Sequence, residues 1–290
     1  MGDGDAEMNA LITGASRGLG RALARRFWEA NYNLILVARR AESLAETAAA
    51  LPTREGSMAT CIAADLANPA AVSDVTAQLD ARGTSVDVLV NNAAIQGPVG
   101  PLGDNDWAAW RRTMQVNLFA PVELCRALVP RMRVAGGGVV INLSGGGATG
   151  PRPNFSAYGT AKAALVRFSE TLAEEVRSSN IRVNCIAPGV LQTAMLSEVI
   201  KQGKQMAGER EFSIATTIFE KGGASMDTVA DLALFLASER ACGITGKLIS
   251  AVWDPWETLH EHREALEKSD IYTLRRIVPK DRGLDWGERP

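Results

Sequence analysis

Residues 13–20 read Thr-Gly-Ala-Ser-Arg-Gly-Leu-Gly, and this stretch decides the fold. It follows a short apolar run, residues 9–13 (NALIT), and opens a helix-period segment, residues 19–30. Gly14 permits a tight turn, Gly18 lets backbone approach a pyrophosphate, and Gly20 permits close packing of helix on sheet. The helix N-terminus offers free N–H groups and a positive dipole end to phosphates. Glycines alone are a weak signal. Strand, glycine turn and helix in that order form a dinucleotide-binding βα unit.

Working outward, six more apolar runs occupy residues 33–38, 58–63, 86–91, 139–143, 181–186 and 247–252. They are short and nearly continuously apolar, as strands covered on both faces must be. Helix-period segments at residues 41–51, 69–81, 106–133, 155–179 and 226–237 fall between them. The alternation predicts an α/β fold: a Rossmann-type, doubly wound, parallel seven-stranded sheet with helices on both faces. Residues 1–254 read as one domain, interrupted by a substrate loop at about 190–225. Residues 255–290 read as an extended C-terminal tail, not an independent domain. A weak apolar stripe at residues 257–268 suggests a packing helix. His260 and His262 form an H-x-H pair without a carboxylate or cysteine at ligand spacing. The expectation is a solvated tail with no metal.

The net charge of −2 offers no field to draw nucleic acid or an anionic membrane. No apolar run nears the roughly 18 residues of a membrane span. The acidic start, MGDGDAEM, lacks a basic and an apolar leader region. Cytoplasmic residence is the default expectation. Cys61, Cys125, Cys185 and Cys242 form no C-x-x-C pair and read as buried, reduced thiols.

The end of the second strand reports on the adenosine ribose. An acidic residue there would bond the 2′-hydroxyl and repel a 2′-phosphate. Here Ala38 is followed by Arg39 and Arg40, and Arg17 lies in the glycine turn. Guanidinium forks match phosphate oxygens. Arg17 and Arg39 therefore favour NADP(H), with NAD(H) as the alternative. The plainer reading is that Arg39 and Arg40 only solvate a helix start.

These features resemble the short-chain dehydrogenase/reductase family over about residues 8–252. Thr13–Gly20 matches T-G-x-x-x-G-x-G, which assigns Gly14, Ser16, Arg17, Gly18, Leu19 and Gly20 to the cofactor. Asp65-Leu66 matches the pair that holds the adenine. Asn91-Asn92-Ala93-Ala94 looks like N-N-A-G, with Ala94 in place of the glycine. Asn117 matches the helix asparagine of the catalytic tetrad, which would hold a water in a proton relay. Tyr158 and Lys162 match Y-x-x-x-K. In residues 188–193, a match to P-G-x-x-x-T, Pro188, Gly189, Leu191 and Thr193 would hold the nicotinamide carboxamide. Ile244-Thr245-Gly246 matches the turn before the last strand. The resemblance implies an oxidoreductase moving hydride between nicotinamide and a small carbonyl or secondary alcohol. It also implies a homotetramer or homodimer, paired through residues 106–133 and 155–179.

The residues support the chemistry by themselves. Tyr158 and Lys162 are four apart on a helix and share a face. A tyrosine with a pKa of about 10 is a poor base. A neighbouring ammonium favours phenolate, so Tyr158 can exchange a proton with the reacting oxygen. By resemblance, Lys162 also bonds the nicotinamide ribose.

One departure stands out. The family has a serine about 13 residues before the tyrosine, where it polarises the carbonyl. That count lands on Gly145, and Ser144 is its neighbour. If the loop carries one extra residue, Ser144-Gly145-Gly146-Gly147 fits S-x-x-G and Ser144 is the working hydroxyl, the favoured alignment. Otherwise residues 142–145 fit N-I-S-S with the second serine lost. The departure keeps two alternatives open: a dinucleotide-binding sensor without turnover, and a non-redox relative. In the substrate loop, Met195, Leu196, Ile200, Phe212, Ile214, Ile218 and Phe219 either line a cavity or pack the loop itself.

Overall fold

The computed structural model describes residues 8–286. The acidic segment 1–7, read above as no leader, and the last four residues lie outside the described residues. The strands are β1 (Asn9–Thr13), β2 (Asn33–Ala38), β3 (Ala59–Ala63), β4 (Val88–Asn91), β5 (Gly138–Leu143), β6 (Ile181–Ala187) and β7 (Leu248–Ser250). They form one seven-stranded sheet in the order β3-β2-β1-β4-β5-β6-β7, and every pair is parallel. The chain winds outward from β1 in one direction, then crosses to β4 and winds in the other. That reversal opens a crevice at the carboxyl ends of β1 and β4.

Strand alternation builds two cores. Ile12, Leu36, Val90 and Ile141 face helices α1 (Gly18–Glu29) and α9 (Met226–Ala237). Leu11, Ile35, Leu89 and Val140 face α3 (Ala71–Arg82), α5 (Ala120–Val134) and α6 (Ser156–Glu175). Helix α2 (Ala41–Ala49) covers the outer part of the first face through Leu44. With both faces covered, side chains pointing either way from a strand are apolar, which is why the strands read as unbroken apolar runs.

Two expectations about helices change. The single helix expected over residues 106–133 is α4 (Trp107–Met114), a π turn at Gln115–Phe119, and α5. The π turn is only five residues long, too short to stand out in the sequence pattern. The segment expected to be a loop holds α7 (Ala194–Ala207) and α8 (Glu209–Lys221). Helix α7 is interrupted at Gly203 (φ +76°). The two pack Leu196, Val199 and Ala215 against Val99 and Phe155, with Ile200, Phe212 and Ile218 at the margin. These side chains therefore pack the substrate loop itself, while Phe219 is half exposed.

The tail is docked, not solvated. Trp256, Leu259 and Leu266 are buried in the first core. The His260 ring lies 6.4 Å from that of Phe235. Residues 256–262 form a 3-10 helix and Arg263–Glu267 the short helix α10. The chain then returns along the open edge of β7, where the Leu248 N–H donates to the Tyr272 carbonyl at 2.8 Å. The Lys247 ammonium donates to the Ser269 and Ile271 carbonyls, each at 3.0 Å. One otherwise unpaired N–H at the sheet edge, that of Leu248, is thereby satisfied. The cysteines also divide. Cys125 and Cys185 are buried and burial pushes both thiols up to about 12, whereas Cys242 is exposed. Among the described residues no helix is long and apolar enough to cross a membrane.

Candidate active site

The glycine turn closes β1 onto its neighbours. The Gly14 N–H donates to the Val37 carbonyl at 2.8 Å. A Cβ on Gly14 would stand 2.9 Å from the Ala93 Cα, and one on Gly20 only 2.0 Å from the Gly14 carbonyl oxygen. Only glycine fits either place. Gly18 is different: a Cβ there would meet nothing nearer than the Thr193 methyl at 3.9 Å. Gly18 therefore has room on the side that faces Thr193. Arg17, at the N-cap of α1, makes no side-chain cap bond, which leaves the first N–H groups available to an anion.

The other expected cofactor residues take the following places. Thr13 Oγ1 accepts the N–H groups of Asn92 and Ala93, each at 3.0 Å. The Asn92 carboxamide donates back to the Thr13 and Gly14 carbonyls at 2.9 and 3.3 Å. Asn92 thus braces the turn. Ser16 and Ala94 are half-buried, and Leu19 is buried. Arg17 and Arg39 are exposed. Asp65 accepts the Ala67 N–H at 3.1 Å and lies 3.5 Å from Arg112, while Leu66 is buried. Pro188 and Gly189 follow β6, and Gly189 takes φ +75° with its open side against Val252. Leu191 is partly buried and packs against the first core. The Thr193 carbonyl accepts from Leu196 and Ser197 as α7 begins.

Helix α6 is anchored to the sheet by a buried polar chain. Asn91 donates to Asn142 at 2.8 Å, Asn142 to Ser169 at 2.7 Å, and Ser169 to the Leu165 carbonyl at 2.7 Å. That anchoring holds Tyr158 and Lys162, on the first turns of α6, over the end of β5. Lys162 is buried, and its ammonium donates to the Leu143 carbonyl at 2.7 Å. Burial lowers its pKa to about 8. The Lys162 nitrogen is 5.8 Å from the Tyr158 ring centroid. Burial raises the Tyr158 phenol above its ordinary value, and the charge that partly offsets this is Arg152. The expected lowering of Tyr158 by Lys162 is therefore corrected: the ammonium is turned onto the backbone, and desolvation dominates.

Asn117 sits fully buried in the π turn. Its carboxamide accepts the Ile95 N–H and donates to the Ile95 carbonyl, both at 2.9 Å. The side chain is thereby fixed against the chain that follows β4, with one N–H and one oxygen lone pair still unused. Such distortions of a helix often mark functional positions.

Position 145 faces the phenol. A Cβ on Gly145 would stand 2.4 Å from the Tyr158 hydroxyl. The Ser144 N–H donates to the Ile186 carbonyl at 2.8 Å, continuing the β5 ladder. Its hydroxyl is buried with no hydrogen-bond partner among the described residues. The geometry favours the alignment in which the family serine is replaced by Gly145.

Arg152 completes the site. Its guanidinium carbon lies 3.9 Å over the Phe155 ring centroid and 5.7 Å from that of Tyr158. Its Nε and Nη2 both reach one carboxylate oxygen of Glu211, on α8, at 2.8 Å.

A family model described as short chain dehydrogenase matches residues 8–204. The chain belongs to the short-chain dehydrogenase family. Short-chain dehydrogenases are NAD(P)-dependent oxidoreductases acting on hydroxyl and carbonyl groups. Among its relatives, human dehydrogenase/reductase SDR family member 4 is 32% identical over 240 residues, covering 83% of this chain and 84% of that one. D-beta-hydroxybutyrate dehydrogenase from Rhizobium meliloti is 31% identical over 252 residues, covering 83% and 95%. The crystal structure of L-sorbose reductase from Gluconobacter frateurii, complexed with NADPH and L-sorbose, superposes with a TM-score of 0.75 at 33% identity, covering 84% of this chain and 94% of that one. Within this short-chain dehydrogenase, sequence reasoning missed Arg152 and Glu211. They are 59 residues apart, and no periodicity or motif joins a loop arginine to a helix that was not expected.

Proposed function

We propose that the chain is an NADP(H)-dependent oxidoreductase interconverting a small carbonyl and its secondary alcohol, with Tyr158 as the acid/base. The observation that carries this is the placement of Tyr158 and Lys162 against the carboxyl end of β5, in a parallel sheet whose β1 ends in the glycine turn. A bound nicotinamide cofactor supplies or accepts the hydride. Tyr158, held in its protonated form by burial, donates a proton to the reacting oxygen in reduction and takes it back in oxidation. Lys162 keeps a positive charge near the phenol below its pKa of about 8.

The 2′-phosphate preference is supported by Arg17 and Arg39, both exposed and near the mouth of the turn. Neither guanidinium has a hydrogen-bond or ion-pair partner among the described residues, so each is free to meet a phosphate. The protein is proposed to act in the cytoplasm as a homodimer or homotetramer paired through α5 and α6. The half-exposed Phe119 beside α5 supports that pairing.

The glycine at position 145 favours a second reading, a dinucleotide sensor without turnover, because the family's carbonyl-polarising hydroxyl is absent there. One experiment separates them: purified protein with NADPH and NADP⁺ against a panel of carbonyls and polyols. Turnover of any panel member supports the oxidoreductase. Tight NADPH binding with no turnover across the panel supports the sensor.

A further inference from the structure

We propose that Arg152 supplies the hydrogen bond to the reacting oxygen that Gly145 cannot, and that Glu211 of α8 orients it; this rests on the oxidoreductase reading above. Gly145, Gly146 and Gly147 leave a side-chain-free run beside the phenol. The Tyr158 hydroxyl lies 2.4 Å from the Cβ position of Gly145. The Arg152 Cδ, Nε and Nη1 lie 3.6–3.7 Å from the Cβ position of the next residue, Gly146. Phenol and guanidinium thus rest on consecutive residues of the same backbone run. A Cβ at Gly145 would crowd the phenol, whereas one at Gly146 would meet the guanidinium at ordinary van der Waals distance.

The guanidinium is held on two sides. Phe155 supports one face, and the Glu211 carboxylate takes Nε and Nη2. Nη1, near Gly146, donates no hydrogen bond among the described residues. Both side chains of the ion pair are about four-fifths shielded from solvent, so screening is weaker than at an open surface. A guanidinium is charged at every working pH and offers donors in a rigid plane. Nη1 can therefore bond a carbonyl oxygen and hold the alkoxide that develops when hydride arrives at carbon. The proton still comes from Tyr158, and Arg152 keeps its own. Glu211 reaches Arg152 from α8, so the donor is aligned only while the α7–α8 segment is seated on Phe155 and Val99.

The test uses the full chain, NADPH and a panel carbonyl that the wild type reduces. Arg152→Met is expected to lower kcat roughly thirtyfold or more, with the NADPH Kd and melting temperature nearly unchanged. Free guanidinium ion should restore part of the lost kcat, and Arg152→Lys should fall between. Glu211→Gln should lower kcat about three- to tenfold, and the double variant should match Arg152→Met, since orientation has no value once the donor is gone. If Arg152→Met keeps kcat near wild type, or loses NADPH binding together with kcat and is not rescued by guanidinium, the proposal is overturned. If Arg152→Met proves unfolded, Arg152→Lys and Glu211→Gln decide: wild-type kcat in both overturns it. A wild type inactive on the whole panel overturns both this proposal and the oxidoreductase reading. An active wild type with an equally active Arg152→Met overturns this proposal alone.

Discussion

The Tyr158 hydroxyl occupies the space where a side chain on Gly145 would begin: a Cβ there would lie 2.4 Å from the phenol oxygen and 3.1 Å from two ring carbons. Real Cβ atoms essentially never approach to 2.4 Å, and Tyr158 is buried. Restoring the family hydroxyl by Gly145→Ser is therefore expected to displace the phenol and lower kcat about tenfold or more, as overpacked sites force side chains off their rotamers. Steady-state kinetics with a panel carbonyl check this. A rise in kcat would mean that the ring moves aside freely.

Ser144→Ala should be nearly silent. The hydroxyl is buried without a partner, so its removal leaves no broken hydrogen bond. The cost of an unmet buried polar group is about 1–3 kcal/mol, and the variant should match or slightly exceed the wild-type melting temperature. Its kcat should stay within about twofold, a barrier change under ~0.5 kcal/mol. A tenfold loss of kcat would return the role of the family serine to Ser144.

Lys162 should leave a signature in stability against pH. Its folded pKa is about 8, below the value of about 10.4 in an unfolded chain. Between these values the unfolded state binds more protons, so this lysine makes stability rise with pH. Cys125 and Cys185, pushed up to about 12, work the other way above the ordinary thiol range. The useful quantity is thus the difference between wild type and Lys162→Met in cofactor-free protein. Denaturant titrations from pH 7 to pH 10 should show the wild type gaining on the variant. A flat difference would mean that the Leu143 hydrogen bond holds the ammonium at its ordinary pKa.

Arg39→Asp should reverse cofactor choice. Charge-assisted hydrogen bonds are worth about 1.5–3 kcal/mol, so removing one from a 2′-phosphate should weaken NADPH binding about tenfold or more. The new carboxylate should improve NADH binding through the ribose 2′-hydroxyl. Fluorescence titrations with the two reduced cofactors measure both. Equal affinities in the wild type would remove the basis for an NADP(H) preference.

The sheet was legible because buried parallel strands leave an unmistakable apolar pattern, and β1, β2 and α9 fall where the sequence places them. The π turn was not, because five residues inside a longer helical run are too few to establish a change of period, yet it sets Asn117 against Ile95. Tyr158 and Lys162 were legible through their spacing. The direction of the Tyr158 pKa shift was not, since it depends on which way the Lys162 ammonium points. Spacing counts alone left Ser144 and Gly145 in competition. Only the direction of the Cα substituent at position 145 separates them. The partnership of Arg152 with Glu211 depends on how α8 seats, which no local pattern encodes.

The central claim is that Tyr158 is the proton donor. Tyr158→Phe removes one oxygen, and the ring still packs against Gly145. The direct measurement is single-turnover oxidation of bound NADPH by a panel carbonyl, with NADPH affinity measured in parallel. The expected result is a rate lower by roughly a hundredfold or more, with NADPH Kd within about twofold of wild type. A variant that keeps more than about a tenth of the wild-type rate, a barrier change under ~1.4 kcal/mol, would contradict it.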